Sequence, residues 1–265
     1  MAENILTVEN LNIAYQGVPA VMDVNFTLER GKVLTIVGES GSGKTTVIRA
    51  LMGLLPIGGE VTDGTMIFNG QDLRTLSKSE WRAIRGKDMA MIFQDSGSAL
   101  DPIVRIGKQF RELFKSHVEI TNDECDRRAI ELLESVSLPN GADILRRYPH
   151  ELSGGQRQRV GIAMALALDP ALLIGDEPTS ALDVTTQSQV VMQMLELAKE
   201  HNSAIVMVTH NLGVAAYMSD YIIVMKKGRV VDAGTPQDIL ENPSNEYTKQ
   251  LKDAVPTLEG GRYID

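Results

Sequence analysis

A glycine-rich segment, GESGSGKT at residues 38–45, limits the fold of this chain more than any other feature of its sequence. It matches the phosphate-loop pattern G-x-x-x-x-G-K-[ST] at every fixed position. The apolar run at residues 33–37 predicts a buried strand before it, and the apolar spacing over residues 46–55 predicts a helix after it. The sequence therefore predicts a phosphate loop that joins a strand to a helix.

The loop residues suit a bound nucleotide. Glycines let backbone N–H groups turn inward, and the helix start adds a positive dipole end. Lys44 would reach the β- and γ-phosphates, and the Thr45 hydroxyl would ligate Mg²⁺. A glycine-rich turn before an ordinary helix is the alternative. The residues expected to contact the nucleotide are Gly38, Ser40, Gly41, Ser42, Gly43, Lys44, Thr45 and Thr46.

Composition excludes several classes of protein. A net charge of -9 disfavours non-specific nucleic-acid binding, which depends on Lys and Arg. The single cysteine, Cys125, excludes a disulfide framework and a cysteine cluster for zinc or iron–sulfur. No apolar run reaches the roughly 18 residues of a membrane span, and the first residues lack a basic signal-peptide start. We therefore expect any membrane role to come through a partner.

The first part of the chain predicts an antiparallel sheet. Alternating residues indicate strands at 5–13, 24–28 and 65–69, with a loop at 56–64. Gln16-Gly17 and Asn69-Gly70 are turn signals. Tyr15 stands before the first turn, where it would either pack at the strand end or stack on a purine base.

Between residues 95 and 149 the pattern changes from strands to helices. The segment 106–118 is amphipathic, and Thr121 begins a capping box. Trp81, in a polar helical stretch just upstream, is expected to anchor packing. We interpret residues 95–149 as a helical insertion into an α/β core with an outer face available to a partner; ordinary helical decoration is the alternative.

A second anion-binding helix start follows, with the sequence LSGGQ at residues 152–156. Ser153 is suited to cap the helix predicted over 157–168, and two glycines leave backbone N–H groups bare. Plain helix capping is the alternative explanation of Gly154 and Gly155.

Polar residues follow three of the predicted buried strands. Asp176 and Glu177 end the strand at 171–175; there Asp176 would hold Mg²⁺ and Glu177 would orient or deprotonate the attacking water, unless the two form a surface salt bridge. His210 ends the strand at 204–209, where a histidine could contact the γ-phosphate, because ligands gather at the carboxyl ends of parallel strands. A lone histidine is usually structural, and a glutamine at a strand end, such as Gln94 after the strand at 89–93, is usually a loop residue.

The remainder of the chain predicts further local structure. A helix is expected over residues 184–200, and a hairpin joins 221–225 to 229–233 through Lys227-Gly228. Thr235 caps a short final helix, after which the tail turns polar.

Together these residues resemble the ATP-binding-cassette ATPases, the nucleotide-binding subunits of ABC transporters, over about residues 5–242. The matching elements, in order, are the phosphate loop, the Q-loop glutamine Gln94, the signature at 152–156, the Walker B pair Asp176 and Glu177, the D-loop at 180–183 and the switch histidine His210. Tyr15 matches the adenine-stacking aromatic residue.

The resemblance implies a fold and its division. The fold is an α/β P-loop NTPase (RecA-like) core with an antiparallel β subdomain and a helical insertion subdomain. The expected bounds are 1–94 and 160–240 for the core with its β subdomain, 95–159 for the helical subdomain with the signature, and 241–265 for a C-terminal tail.

The resemblance also implies a mechanism. Two cassettes close head to tail around two ATP molecules, so Ser153, Gly154, Gly155 and Gln156 of one subunit contact the ATP that Lys44 of the other holds. Glu177, His210 and Gln94 are then catalytic, and Thr45, Gln94 and Asp176 hold Mg²⁺. The implied partners are a second ABC ATPase, two transmembrane permease subunits and, indirectly, an extracytoplasmic solute-binding protein, with no nucleic acid. The implied location is peripheral, on the cytoplasmic face of the cell membrane.

Finer motifs resemble the oligopeptide, dipeptide and nickel importer ATPases. They are Ile106-Gly107, Tyr148-Pro149-His150, Asn242-Pro243-Ser244, Tyr247-Thr248-Lys249 and GGRY at 260–263. Asn245-Glu246 stands where that family often has His-Pro, and the cysteine-rich extension of larger members is not expected here. Peptide and metal-chelate uptake both remain open.

Two other functional classes are less consistent with this sequence. A soluble ABC ATPase acting on DNA or ribosomes would be expected to carry a long coiled coil or two cassettes, and the sequence has neither. A nucleotide-dependent regulator without turnover is disfavoured by the presence of both Glu177 and His210.

Overall fold

The computed structural model describes residues 3–94, 99–178 and 184–254, without the side chains of residues 184–190. The strands are β1 (Asn4–Tyr15), β2 (Val18–Glu29), β3 (Val33–Val37), β4 (Gly59–Phe68), β5 (Gln71–Asp72), β6 (Met89–Ile92), β7 (Leu172–Asp176), β8 (Ala204–Thr209), β9 (Tyr221–Lys226) and β10 (Arg229–Gly234). The helices are α1 (Lys44–Leu51), α2 (Lys78–Ile84), α3 (Ile106–Lys115), α4 (Asn122–Ser135), α5 (Gly141–Arg146), α6 (Gly154–Leu166), α7 (Val184–Glu200), α8 (Leu212–Met218), α9 (Pro236–Glu241) and α10 (Glu246–Asp253), with 3₁₀ turns at Leu73–Thr75 and Pro149–Glu151.

The chain forms two compact units. The first unit comprises Met1–Lys78 and Ala204–Asp265, and the second unit comprises Ser79–Ser203. The second unit is thus one continuous segment inserted into the sequence of the first. The subdomain bounds expected from the sequence stay a prediction.

An antiparallel sheet in the first unit has the strand order β2-β1-β4-β5, which confirms the predicted β subdomain. Its strands are longer than predicted, and β4 begins at Gly59, so the predicted loop over 56–64 is wrong for residues 59–64. Residues 59–64 are mostly polar and include two glycines, so they lack the alternating apolar pattern that indicates a strand. Gly64 has φ +93°, and a Cβ there would lie 2.3 Å from the Asn10 carbonyl oxygen, which is why only glycine lets β4 pass β1 at this irregular register.

The three predicted turns share one geometry. Gln16-Gly17, Asn69-Gly70 and Lys227-Gly228 each have positive φ at both residues, with values of 50° and 79°, 47° and 78°, and 48° and 79°. Two-residue loops of this kind match the twist of the strands that they join. They connect β1 to β2, β4 to β5 and β9 to β10, which confirms the turn predictions.

Parallel strands bring loop residues to one sheet edge within each unit. In the first unit β3 pairs in parallel with β8 and β9, with Val37 opposite Thr209. The residues that follow, Gly38 and His210, therefore leave neighbouring strands at the same carboxyl edge. In the second unit β6 pairs in parallel with β7, with Ile92 opposite Gly175, so Asp176 ends β7 beside the end of β6.

Helices of the second unit follow the predicted periodicity with shifted ends. Phe110 and Phe114 of α3 and Cys125, Ala129 and Leu133 of α4 are buried. Thr121 caps α4 by accepting a hydrogen bond from the Glu124 N–H at 3.3 Å, as predicted. α6 begins at Gly154 rather than at 157, because the Ser153 cap already orders the first turn.

The stretch predicted to be a polar tail contains helix α10. Tyr247 and Thr248 are buried in it, although most of its residues are polar. Because this segment has few apolar residues, it shows no helical periodicity, and the helix was not predicted from the sequence. None of the described helices combines the length and the apolar character that crossing a bilayer requires.

Candidate nucleotide site

The phosphate loop leaves β3 and enters α1, as predicted. Gly43 caps α1 with a left-handed backbone, φ 104°. A Cβ on Gly38 would lie 2.2 Å from the Met225 carbonyl oxygen, and one on Gly43 would lie 3.1 Å from that of Ala20. These close approaches require glycine, and they leave the loop backbone as the lining available to a ligand.

Lys44 is buried beneath this loop, with only 5% of its surface exposed. Its ammonium donates hydrogen bonds to the Gly38 carbonyl at 2.6 Å, the Glu39 carbonyl at 2.8 Å and the Ser42 hydroxyl at 3.4 Å. A buried ammonium at the N-terminus of a helix favours an anion nearby. The loop therefore fits a polyphosphate, with Thr45 and Thr46 next along α1.

Two contacts from distant parts of the first unit fix the shape of the loop. The Gly228 N–H donates to the Ser42 carbonyl at 2.9 Å. The Glu39 N–H donates to the Tyr247 hydroxyl at 2.9 Å. Neither contact is predicted from the sequence, in which Gly228 belongs only to a turn signal and Tyr247 only to a family motif.

His210 follows β8 and is exposed at the edge from which the phosphate loop also leaves. Asn211 caps α8 by accepting a hydrogen bond from the Val214 N–H at 3.1 Å, so the backbone turns directly after His210. The position of His210 at this sheet edge is compatible with the predicted γ-phosphate contact.

Tyr15 ends β1 opposite Gly59 of β4 and is half-buried. A Cβ on Gly59 would lie 2.6 Å from the Tyr15 ring, so glycine makes room for the ring at this strand end. Both packing and base stacking are consistent with this position.

The second unit carries the predicted acidic pair at the end of β7. Asp176 is 6% exposed, whereas Glu177 is half-buried and has a left-handed backbone, φ 46°. Gln94, two residues beyond β6, is exposed. Carboxylate, amide and hydroxyl oxygens are ligands that suit Mg²⁺, so Asp176 and Gln94 here and Thr45 in the first unit are chemically fit for that role.

The signature forms the start of α6 in the second unit. Ser153 Oγ accepts from the Gln156 N–H at 3.2 Å, and Gln156 Oε1 accepts from the Ser153 N–H at 2.9 Å, a reciprocal capping box. Ser153 and Gly154 are exposed, and a Cβ on Gly154 would meet nothing within 4 Å. The Gln158 side chain donates to the Pro178 carbonyl, which ties α6 to the backbone just after Glu177. The D-loop at 180–183 lies outside the described residues.

Comparison with known proteins identifies the family. Residues 21–180 match the family model described as ABC transporter. The dipeptide transport ATP-binding protein DppD of Lactococcus lactis subsp. cremoris is 45% identical over 262 residues, which are 97% of this chain and 75% of that protein. The oligopeptide transport ATP-binding protein OppD of Bacillus subtilis is 44% identical over 260 residues, 96% of this chain and 73% of that protein.

A solved structure agrees with the sequence relatives. It is the dimeric, post-hydrolysis state of the ATP-binding cassette MJ0796 bound to ADP and Pi, 29% identical, with a TM-score of 0.77 over 87% of this chain and 98% of that one. This likeness confirms the predicted P-loop ABC ATPase fold. The chain therefore belongs to the ABC transporter family, as one of its ATP-binding, ATP-hydrolysing subunits.

Proposed function

We propose that this chain is the ATPase subunit of an ABC importer that takes up peptides. The observation that carries the proposal is its identity of 45% and 44%, over nearly its full length, with the DppD and OppD ATP-binding proteins described above. Both of those proteins are named for peptide transport. The motif GGRY at 260–263, one of the motifs that resemble this group of ATPases, lies outside the described residues.

Separate residues of the chain bind the nucleotide and catalyse its hydrolysis. Lys44 and the backbone N–H groups of the phosphate loop hold the phosphates, and Tyr15 stacks on the base. Glu177 accepts the proton of the attacking water, and His210 hydrogen-bonds to the γ-phosphate. Mg²⁺ held by Thr45, Gln94 and Asp176 would neutralise charge that develops on the phosphates.

The exposed start of α6 serves the ATP of a second cassette. The N–H groups of Gly154 and Gly155 in its first turn suit an anion that approaches from outside the subunit, and the reciprocal hydrogen bonds of Ser153 and Gln156 hold the start of the helix in shape. The related MJ0796 cassette is dimeric, which supports a shared site. We propose that closure and reopening of this dimer drive two transmembrane permease subunits, which receive the solute from an extracytoplasmic binding protein. The ATPase is then peripheral, on the cytoplasmic face of the membrane.

The test is a reconstituted transporter. The complex of this chain with its permeases and partner ATPase is purified, placed in liposomes and supplied with its binding protein, and phosphate release is measured with di- to pentapeptides or with nickel chelates. We expect peptides to stimulate hydrolysis severalfold and nickel chelates to leave it at the basal rate. Stimulation by nickel chelates alone would overturn the peptide assignment, and absence of ATP turnover in the assembled complex would overturn the function as a whole.

A further inference from the structure

One peptide group of the phosphate loop is held from both sides. The carbonyl of Gly38 accepts a hydrogen bond from Lys44 Nζ at 2.6 Å. The N–H of the same peptide group belongs to Glu39 and donates to the Tyr247 hydroxyl at 2.9 Å. The C-terminal helix α10 therefore contacts the peptide that supports the phosphate-binding lysine.

Packing determines where the Tyr247 hydroxyl lies. The residue is 3% exposed, in a cluster with Val37 at the end of β3 and Leu212 of α8. The Lys226 ammonium lies 4.2 Å from the ring centroid. Burial raises the pKa of Tyr247, so the phenol keeps its proton and remains a neutral partner for the Glu39 N–H.

The start of α10 is itself anchored. Asn245 caps the helix by accepting a hydrogen bond from the Tyr247 N–H at 2.9 Å. Asp232 of β10 accepts from the Ser244 hydroxyl at 2.8 Å, the Ser244 N–H at 3.0 Å and the Asn245 N–H at 3.2 Å. A continuous series of hydrogen bonds thus leads from β10 through α10 to the phosphate loop.

The contact matters because the peptide that it holds adjoins a glycine. Glycine has a broad choice of φ and ψ, so the peptide between Gly38 and Glu39 can rotate unless something holds it. Rotation would turn the Gly38 carbonyl away from Lys44 and would change the N–H groups that face the phosphates. The Tyr247 hydroxyl opposes that rotation by accepting from the Glu39 N–H.

We propose that Tyr247 is a positioning residue for the phosphate loop, through which α10 holds the Gly38–Glu39 peptide in the orientation that binds ATP. The proposal rests on ATP binding by this loop and is independent of the transported solute. Tyr247 acts through the backbone and makes no contact with the reacting atoms.

Tyr247→Phe tests the proposal, because it removes the hydroxyl and keeps the buried ring. We expect hydrogen–deuterium exchange at the Glu39 amide, measured without nucleotide, to quicken about three- to tenfold, and the Kd for MgATP to rise by a similar factor. Tyr221→Phe is the matched control: Tyr221 is 42% exposed at the start of β9, and its loss should change neither quantity.

The outcomes separate this inference from the assignment of the loop. Wild-type protein that binds no ATP, with Lys44→Ala no different, would contradict the loop assignment itself. Wild-type binding with an unchanged Glu39 exchange rate and Kd in Tyr247→Phe would overturn only the role of Tyr247. A lower melting temperature of Tyr247→Phe with unchanged Glu39 exchange would also overturn it, since it would show that the hydroxyl acts on stability alone.

Discussion

At the scale of single residues, Asp176 and Glu177 are neighbours with different backbone conformations. Asp176 belongs to β7, whereas Glu177 has φ 46°, in the left-handed region. Such a conformation costs a non-glycine residue about 1–3 kcal/mol and persists only where the surroundings impose it. Glu177 stands between the buried Asp176 and Pro178, whose carbonyl accepts a hydrogen bond from Gln158. The chain therefore changes conformation directly after Asp176, at the carboxyl end of β7.

Glu177→Gln should bind ATP and lose hydrolysis. An amide cannot accept the proton of the attacking water, so we expect phosphate release to fall by about 10²- to 10⁴-fold while nucleotide affinity stays near the wild-type value. Size-exclusion chromatography with ATP should then show an accumulated dimer. Glu196→Gln, at an exposed position of α7, is the control. Turnover at the wild-type rate would remove Glu177 as the base.

At the scale of secondary-structure elements, the β9–β10 turn does more than reverse the chain. Gly228 donates its N–H to the Ser42 carbonyl at 2.9 Å and accepts from the Met22 N–H at 2.8 Å. A Cβ on Gly228 would lie 2.6 Å from the Ala20 carbonyl oxygen. The turn is therefore packed against β2 and bonded to the phosphate loop.

Comparison of Gly228→Ala with Gly70→Ala distinguishes the effect of these contacts on stability from the effect of backbone strain. The two glycines have φ values of 79° and 78°, but a Cβ on Gly70 would meet nothing within 4 Å. We expect Gly70→Ala to lower the free energy of unfolding by about 1 kcal/mol and Gly228→Ala by about 2–4 kcal/mol, measured by urea denaturation. Only Gly228→Ala should weaken ATP binding. Equal losses of unfolding free energy in the two variants would show that the contacts of Gly228 do not contribute to stability.

The anchor of α10 predicts a pH dependence. Burial by itself would raise the pKa of Asp232, but hydrogen bonds from Ser244 and Asn245 outweigh it and hold the pKa below the ordinary 3.8. Because the folded pKa is lower than the unfolded one, the stability that Asp232 contributes is present above the unfolded pKa and is lost as the pH falls through the folded pKa.

Asp232→Asn should therefore lower the melting temperature at neutral pH and reduce its fall on acidification below about pH 4. The measurement is thermal unfolding followed by circular dichroism across that range. Asp253→Asn, at the exposed end of α10, is the control and should retain the wild-type pH profile. A variant with the same acid dependence as wild type would show that Asp232 is not the titrating anchor.

At the scale of the whole molecule, the two helix starts that we propose bind phosphate differ in exposure. Lys44 of the first unit is buried by its own loop, whereas Ser153 and Gly154 of the second unit are exposed. An exposed, capped helix start suits an anion supplied by another subunit. This contrast supports the proposal that two cassettes share each ATP site.

A mixture of two inactive variants tests whether two subunits share each ATP site. Ser153→Arg blocks the start of α6, and Lys44→Ala removes the ammonium of the phosphate loop. Each variant alone should be inactive, and their mixture should regain at most one working site per dimer, measured as phosphate release. Lys108→Ala mixed with wild type is the control, because Lys108 is a surface residue paired with Glu112. ATP turnover by a strictly monomeric subunit would refute a shared site.

The sequence by itself determined the local chemistry of this protein. The phosphate-loop glycines with Lys44 and Thr45, the three turns that need positive φ, and the Ser153 cap each depend on residues close together in the chain, so their patterns predict them. Only the tertiary structure decided which distant residues support that chemistry. Tyr247 bonds to the Glu39 amide across 208 positions, and Asp232 anchors a helix that the sequence did not predict. Such contacts arise from packing between elements, which local periodicity does not encode.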